Sequence, residues 1–208
     1  SGKHPLEHFT LTDGGPLTVT ASAVTPEHPV SVQSDLTWLP VEDGSTVAPA
    51  AAGFVVTRET DMLDKGGGPP TRIALDHPAV EVKLAVGDVV EDTVELVNPA
   101  ERNHVAIVVP FAAGMEPLNP TLATAPPEAT PSAPPTLEPS YTALLDDRVE
   151  YFYDTLPKGT FVFRVRTKAA VPGRFIQPAA EARLMYEDAV NGHGAGAMIA
   201  IERPAAPE

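Results

Sequence analysis

Six histidines (His4, His8, His28, His77, His104 and His193) and one dense acidic cluster, Asp146-Asp147 with Glu150, are the side chains best equipped for chemistry. A zinc site needs ligands at a spacing that brings them to one face. His4 and His8 are four apart, as on one side of a helix, but Pro5 stands between them and disfavours the helix. No other pair has a metal-ligand spacing. Paired carboxylates serve as acid and base when a cleft separates their pKa values, whereas acidic residues leading into a strand are ordinarily solvated. They also hold calcium, yet the Asp-x-Asp-x-Asp-Gly loop pattern is absent. The glycine-rich stretches Lys65–Gly68 and Gly192–Gly196 lack the Gly-Lys-Ser/Thr of a phosphate loop. No Gly-x-Ser-x-Gly elbow occurs. The chain has no cysteine, which excludes a thiol nucleophile, a thiolate metal site and a disulfide framework. The expectation is a non-enzymatic protein with no catalytic residue, no metal and no cofactor.

The elements that would carry these residues are strands. Apolar residues alternate with polar ones in Leu17–Ala21, Val30–Gln33, Leu36–Leu39, Val80–Leu84 and Val89–Val97, and Phe54–Arg58 is a fuller β-branched run. His104–Phe111 is apolar almost throughout and suits a central buried strand. Val149–Tyr153 and Thr160–Arg166 flank Pro157-Lys158-Gly159, a turn signal that predicts a hairpin. Met198–Glu202 makes a final strand. Phe152, Phe161, Phe163 and Phe175 are read as core. Ala179–Val190 is the best helical stretch, or equally a strand plus one turn. About ten short strands punctuated by 24 prolines and 15 glycines predict an all-β fold. The expected architecture is an antiparallel β-sandwich with at most one short helix. Residues 116–139 hold eight prolines among Ala, Thr and Glu, and read as a long surface loop between core strands. No basic residue sits beside these prolines to anchor a polyproline-binding partner. Residues 1–50 read as a β segment, the end of a preceding module, with the small-residue tract Ala48–Gly53 as its linker. Residues 51–208 read as the main domain.

Composition narrows the partners. With 43% hydrophobic residues in 208, a sizeable core is possible. The 14 basic against 28 acidic residues give a net charge of −14, which argues against nucleic acid and anionic membrane surfaces. No apolar run approaches the roughly 18 residues of a spanning helix, so direct membrane insertion is not expected. Ser1-Gly2 reads like a scar of tag removal, which would place any native signal or anchor outside this chain.

The stretch from Leu144 to Gly192 is more specific. It contains Asp146-Asp147-Arg148, Leu156-Pro157-Lys158-Gly159, Arg164–Phe175 with Pro172-Gly173, and Pro178–Tyr186 ending in Met185-Tyr186. Upstream lie Gly53–Arg58, Val86-Gly87-Asp88 and Pro110–Pro120. In this order, the set over residues 53–202 resembles the C-terminal macroglobulin-like (receptor-binding-like) domain of the bacterial α2-macroglobulins. Three features depart from the family pattern: Gly192-His193-Gly194 replaces Gly-Arg-Ser, Ala182-Arg183-Leu184 precedes Met-Tyr, and the aromatic-rich segment before Asp-x-Arg is reduced to Tyr141.

The resemblance implies membership of an exported protease-trapping inhibitor of bacterial defence, periplasmic or on the cell surface, with a lipoprotein parent as one form. In that family a protease cuts a bait region and, in most members, a Cys–Gln thioester is exposed. This chain lacks Cys, so the resemblance implies a supporting role. The partners would be the parent's other domains, above all the thioester domain, with target proteases met indirectly. It also implies that Met185 and Tyr186 cover the thioester, since apolar atoms over an electrophile slow hydrolysis. The bland alternative puts Met185 in the core and leaves Tyr186 half-buried. The competing class is a free-standing adhesive or carbohydrate-binding sandwich, which needs an exposed aromatic platform from Trp38, Tyr141, Tyr151 and Tyr153.

Overall fold

The computed structural model describes residues 44–203. The strand expectations within residues 1–43, with Trp38, His4, His8 and His28, lie outside the described residues. A 3-10 turn at Gly44–Thr46 is followed by β1 (Ala50–Ala52), β2 (Val55–Met62), β3 (Thr71–Ala74), β4 (Val80–Ala85), β5 (Val89–Asn98), β6 (Arg102–Pro110) and β7 (Met115–Pro117). After a second 3-10 turn at Pro127–Ala129 come β8 (Tyr141–Leu144), β9 (Arg148–Leu156), β10 (Gly159–Ala169), β11 (Gly173–Gln177), β12 (Glu181–Leu184), β13 (Asn191–His193) and β14 (Ala197–Glu202). The strands form a six-stranded sheet, β1-β13-β12-β6-β9-β8, a five-stranded sheet, β3-β2-β5-β10-β7, and a three-stranded sheet, β11-β14-β4. Every pairing between these strands is antiparallel except β14 on β4, and an isolated parallel bridge joins Gly53 to Asn191. This is the expected all-β sandwich, with two short 3-10 turns as the helical content of the described residues.

Period-two alternation selects the core. On β10, Phe161, Phe163, Val165 and Ala169 face inward and are buried. On β5 it is Val90, Val94 and Leu96, and on β6 Val105, Ile107 and Val109. Burying such a side chain contributes roughly 1.5–3 kcal/mol. β6 is central, between β12 and β9, as its apolar run predicts.

The expected β9–β10 hairpin does not form. β9 pairs with β6 and β8, whereas β10 pairs with β5 and β7. Pro157-Lys158 therefore carries the chain across from one sheet to the other. Buried Asn98, at the end of β5, donates from Nδ2 to the carbonyls of Leu156 (3.2 Å) and Pro157 (2.9 Å). These bonds satisfy the backbone groups that a hairpin ladder would have used.

Phe152 is a second correction. Tyr151 and Tyr153 share the inward face of β9 with Val149, so Phe152 points outward and lies beside Tyr141, ring centroids 6.0 Å apart. Phe161 and Phe163 are buried as expected, and Phe175 packs partly buried against the core. Ala179–Val190 resolves as strand β12 plus a turn, the second of the two readings left open.

The proline-rich segment is an ordered strap rather than a detached loop. Thr136 N–H donates to the Val162 carbonyl (3.1 Å), and Leu118 N–H to the Arg166 carbonyl (2.9 Å). Ser132 donates from both N–H and Oγ to the Glu91 carboxylate, which Arg166 also reaches at 2.7 Å. A strap of this kind covers β10's edge and outer face, where unpaired backbone would invite aggregation.

Candidate functional site

Leu184 ends β12 beside Val105 of β6. The chain then reverses in a tight turn closed by Leu184 N–H to Val190 O (3.1 Å) and Val190 N–H to Glu187 O (3.1 Å). Asn191 Nδ2 donates to Asp188 O at 2.8 Å and stiffens it. Met185 and Tyr186 sit at the start of this turn. Met185 is 46% exposed and Tyr186 81% exposed. The alternative that places Met185 in the core is therefore overturned: the core face of β12 ends before it.

His104 supports the pair from beneath. Its φ of 56° is left-handed, a region that few residues other than glycine occupy. Its carbonyl accepts the Met185 N–H at 2.9 Å. Its ring meets Tyr186 edge-on, centroids 5.4 Å apart and planes at 81°. At the base of the turn, Val190 lies against Gly53, and Arg102 stacks over Phe54 at 5.1 Å and donates to the Gly53 carbonyl at 3.4 Å. The exposed Met–Tyr pair thus rests on two strands and a strained histidine. Sequence reasoning considered His104 only as a candidate metal ligand and missed this supporting role, because a lone left-handed residue inside an apolar run leaves no pattern.

The other candidates resolve into structural roles. Arg148 bridges Glu150 (2.6 Å) and Asp147 (2.9 Å). The Glu150 hydrogen bond holds the Arg148 guanidinium above its ordinary pKa, and Asp147 adds to this. Two of the cluster's three carboxylates, Asp147 and Glu150, are thereby held by one arginine. His77 lies 3.9 Å from Asp76 on the surface, and His193 bonds its neighbour's carbonyl. Among the described residues, no group of three or more His, Asp or Glu side chains comes together to hold a metal.

Of the aromatics an adhesive platform would need, Tyr151 and Tyr153 are only 5% and 3% exposed. Burial pushes the Tyr151 hydroxyl up to about 12. Tyr153 is raised as well, by burial first and then by Tyr151 and Glu138, and its hydroxyl donates to Leu137 O at 2.6 Å. Tyr141 remains exposed at the sandwich edge, while Trp38 is outside the described residues.

Comparison with known proteins identifies the family and the fold. The family model described as the bacterial α2-macroglobulin MG10 domain matches residues 53–188. An α2-macroglobulin homologue of Nostoc is 26% identical over 129 residues, covering 62% of this chain and 7% of the relative. Salmonella α2-macroglobulin reacted with methylamine superposes with a TM-score of 0.55 at 19% identity, over 77% of this chain and 10% of that one. Escherichia coli α2-macroglobulin activated by porcine elastase gives 0.57 at 18% identity, over 76% and 14%. These structural likenesses are likenesses of fold, and the chain spans about a tenth of the relatives' length. Since the family model covers well over half of the 208 residues, the chain belongs to the bacterial α2-macroglobulin MG10 domain family.

Proposed function

We propose that this chain is the C-terminal, non-enzymatic part of an exported α2-macroglobulin-like protease trap, that it docks beside the parent's thioester domain, and that Met185 and Tyr186 shield the thioester. The carrying observation is the 81% exposure of Tyr186 on a turn held by backbone bonds and His104. A large apolar side chain presented on a stiff support is suited to cover a group on a neighbouring domain. Water excluded from a thioester slows its hydrolysis and its capture by small amines. The Salmonella relative bears on the same chemistry, being described as reacted with methylamine, and the E. coli relative as activated by elastase.

In this reading the partners are the other domains of the parent, and proteases are met only through it. The setting is the periplasm or the cell surface, and the role is defence. Residues 1–50 are the end of the preceding module. Their last members already run along this domain, where Ser45 O accepts from Ala79 N–H and Val47 O from Gly196 N–H. The carbohydrate-binding reading has lost two of its four aromatic candidates to the core.

The test is methylamine quenching in the full-length parent. Tyr186→Gly is expected to accelerate thioester loss, with the variant domain still folded by circular dichroism. Quenching at the wild-type rate would remove the shielding role.

A further inference from the structure

A cleft of about 520 Å³ opens on the flank of the sandwich between the proline-rich strap, β8, β9 and β10. Its size falls within the roughly 300–1,000 Å³ of ligand sites. Its lining includes Leu118, Pro131, Pro135, Leu144, Val149 and Tyr151, and it shares no lining residue with the Met185–Tyr186 turn.

Two features that no described residue satisfies face it. The first is backbone. On the outer edge of β10, Val162 exchanges hydrogen bonds with Thr136, and the Arg166 carbonyl accepts from Leu118. Backbone groups of a strand point to the same edge at every second residue. Arg164, midway between these two clamps, therefore turns its N–H and C=O to that edge as well, and no described residue pairs with either. The strap lifts off the edge there and leaves a one-bridge gap. The second feature is charge. Arg164 is half-buried and lines the cleft, yet no described carboxylate pairs with it, unlike Arg166, which holds Glu91 at 2.7 Å. Exposed Glu138 also lines the cleft and disfavours a second acid in the occupant.

We propose that this cleft binds an extended peptide segment with apolar side chains and a single carboxylate. The peptide adds one backbone bridge to Arg164, its apolar side chains lie on the prolines and Tyr151, and its carboxylate meets the Arg164 guanidinium. The three demands arise separately: an edge left unpaired among the described residues asks for an amide backbone, the lining for apolar side chains, and a cation that no described carboxylate meets for an acid. The site is independent of thioester shielding.

The test is an NMR titration of the whole chain with acetyl-Ala-Val-Glu-Val-Ala-amide and its Gln counterpart. The expected result is saturable shifts of the Arg164, Leu118 and Thr136 amides, with the Glu peptide bound about tenfold more tightly, the size of one charge-assisted hydrogen bond over a neutral one. Arg164→Gln is expected to abolish that preference and Arg164→Lys to keep part of it, each with an otherwise native spectrum. A peptide N-methylated at its central amide is expected to lose binding. The proposal is overturned if none of these amides shifts at millimolar peptide, or if the Glu and Gln peptides bind alike. It is also overturned if decanoate, an acid with an apolar tail and no amide, binds there more tightly than the peptide.

Discussion

The guanidinium of Arg58 on β2 closes on the carboxylate of Asp92 on β5 at 2.5 Å, and the two residues are only 2% and 4% exposed. Thr60 Oγ1 donates to the same carboxylate at 2.6 Å, and Arg58 donates onward to the Pro110 carbonyl at 3.0 Å. Gln177 Nε2 reaches that carbonyl at 2.7 Å. One ion pair thus ties β2, β5, β6 and β11 together inside the sandwich.

Removing one partner of such a pair strands a charge in the interior. Arg58→Ala is expected to lower unfolding stability in urea by about 3–5 kcal/mol. The double change Arg58→Met with Asp92→Leu is expected to recover much of the loss. A loss below about 1 kcal/mol for the single change would show that water reaches the pair.

The buried tyrosines set an alkaline limit. Tyr151 is pushed up to about 12 by burial, and Tyr153 is raised too. A raised folded-state pKa means that the contribution is intact below the unfolded value, near 10, and is lost as pH climbs toward 12. Urea midpoints are expected to hold until about pH 10 and then fall. Tyr151→Phe is expected to flatten that decline. Phenolate absorbance of both tyrosines is expected to emerge with unfolding rather than before it.

Gly196 tests the seam with the first described residues. A Cβ there would collide with the Gly44 carbonyl oxygen. Gly196→Ala is expected to displace residues 44–47, at a cost of about 1–3 kcal/mol. Hydrogen exchange reads this directly: the Ala79 amide, bonded to Ser45 O, loses protection, while β10 amides keep theirs.

His104 carries its left-handed angle at a cost of about 1–3 kcal/mol. Glycine relieves the angle but adds chain entropy of about 0.5–1 kcal/mol. His104→Gly is therefore expected to match or exceed wild-type stability, whereas His104→Ala falls below it. Either change removes the ring beside Tyr186, and faster Tyr186 ring motion by NMR relaxation is the accompanying readout.

These residues also show what was legible beforehand. Alternation and β-branched runs located β2, β4, β5, β9, β10 and β14, because a half-buried strand writes its face into every second residue, and an unbroken apolar run placed β6 at the centre; the short strands β1, β3, β7, β8, β11 and β13 carried too few residues to show a period. Alternation alone did not choose between Phe152 and its tyrosine neighbours. Hydropathy favours the phenylalanine, whereas register with Val149 decided for Tyr151 and Tyr153. The Pro157-Lys158 turn was visible, but not that its strands join different sheets. That depended on Asn98, 58 residues from Leu156 in sequence. The pairing of Arg58 with Asp92 was not foreseen, because its two residues lie 34 apart in sequence and meet only through the register of β2 on β5. The Met185–Tyr186 pair was found through family resemblance, while its support by His104 was not.

The three-stranded sheet has a consequence for biogenesis. β14 lies between β11 and β4, and its parallel partner β4 precedes it by nine intervening strands. Until residues 197–202 have emerged from the ribosome, Val82 and Leu84 lack the strand that pairs with β4, and their half of the core stays open. Such a long-range closure is slow, so the nascent domain would remain open and protease-sensitive late into synthesis. A cell making it has reason to keep a chaperone on the chain until its last strand arrives.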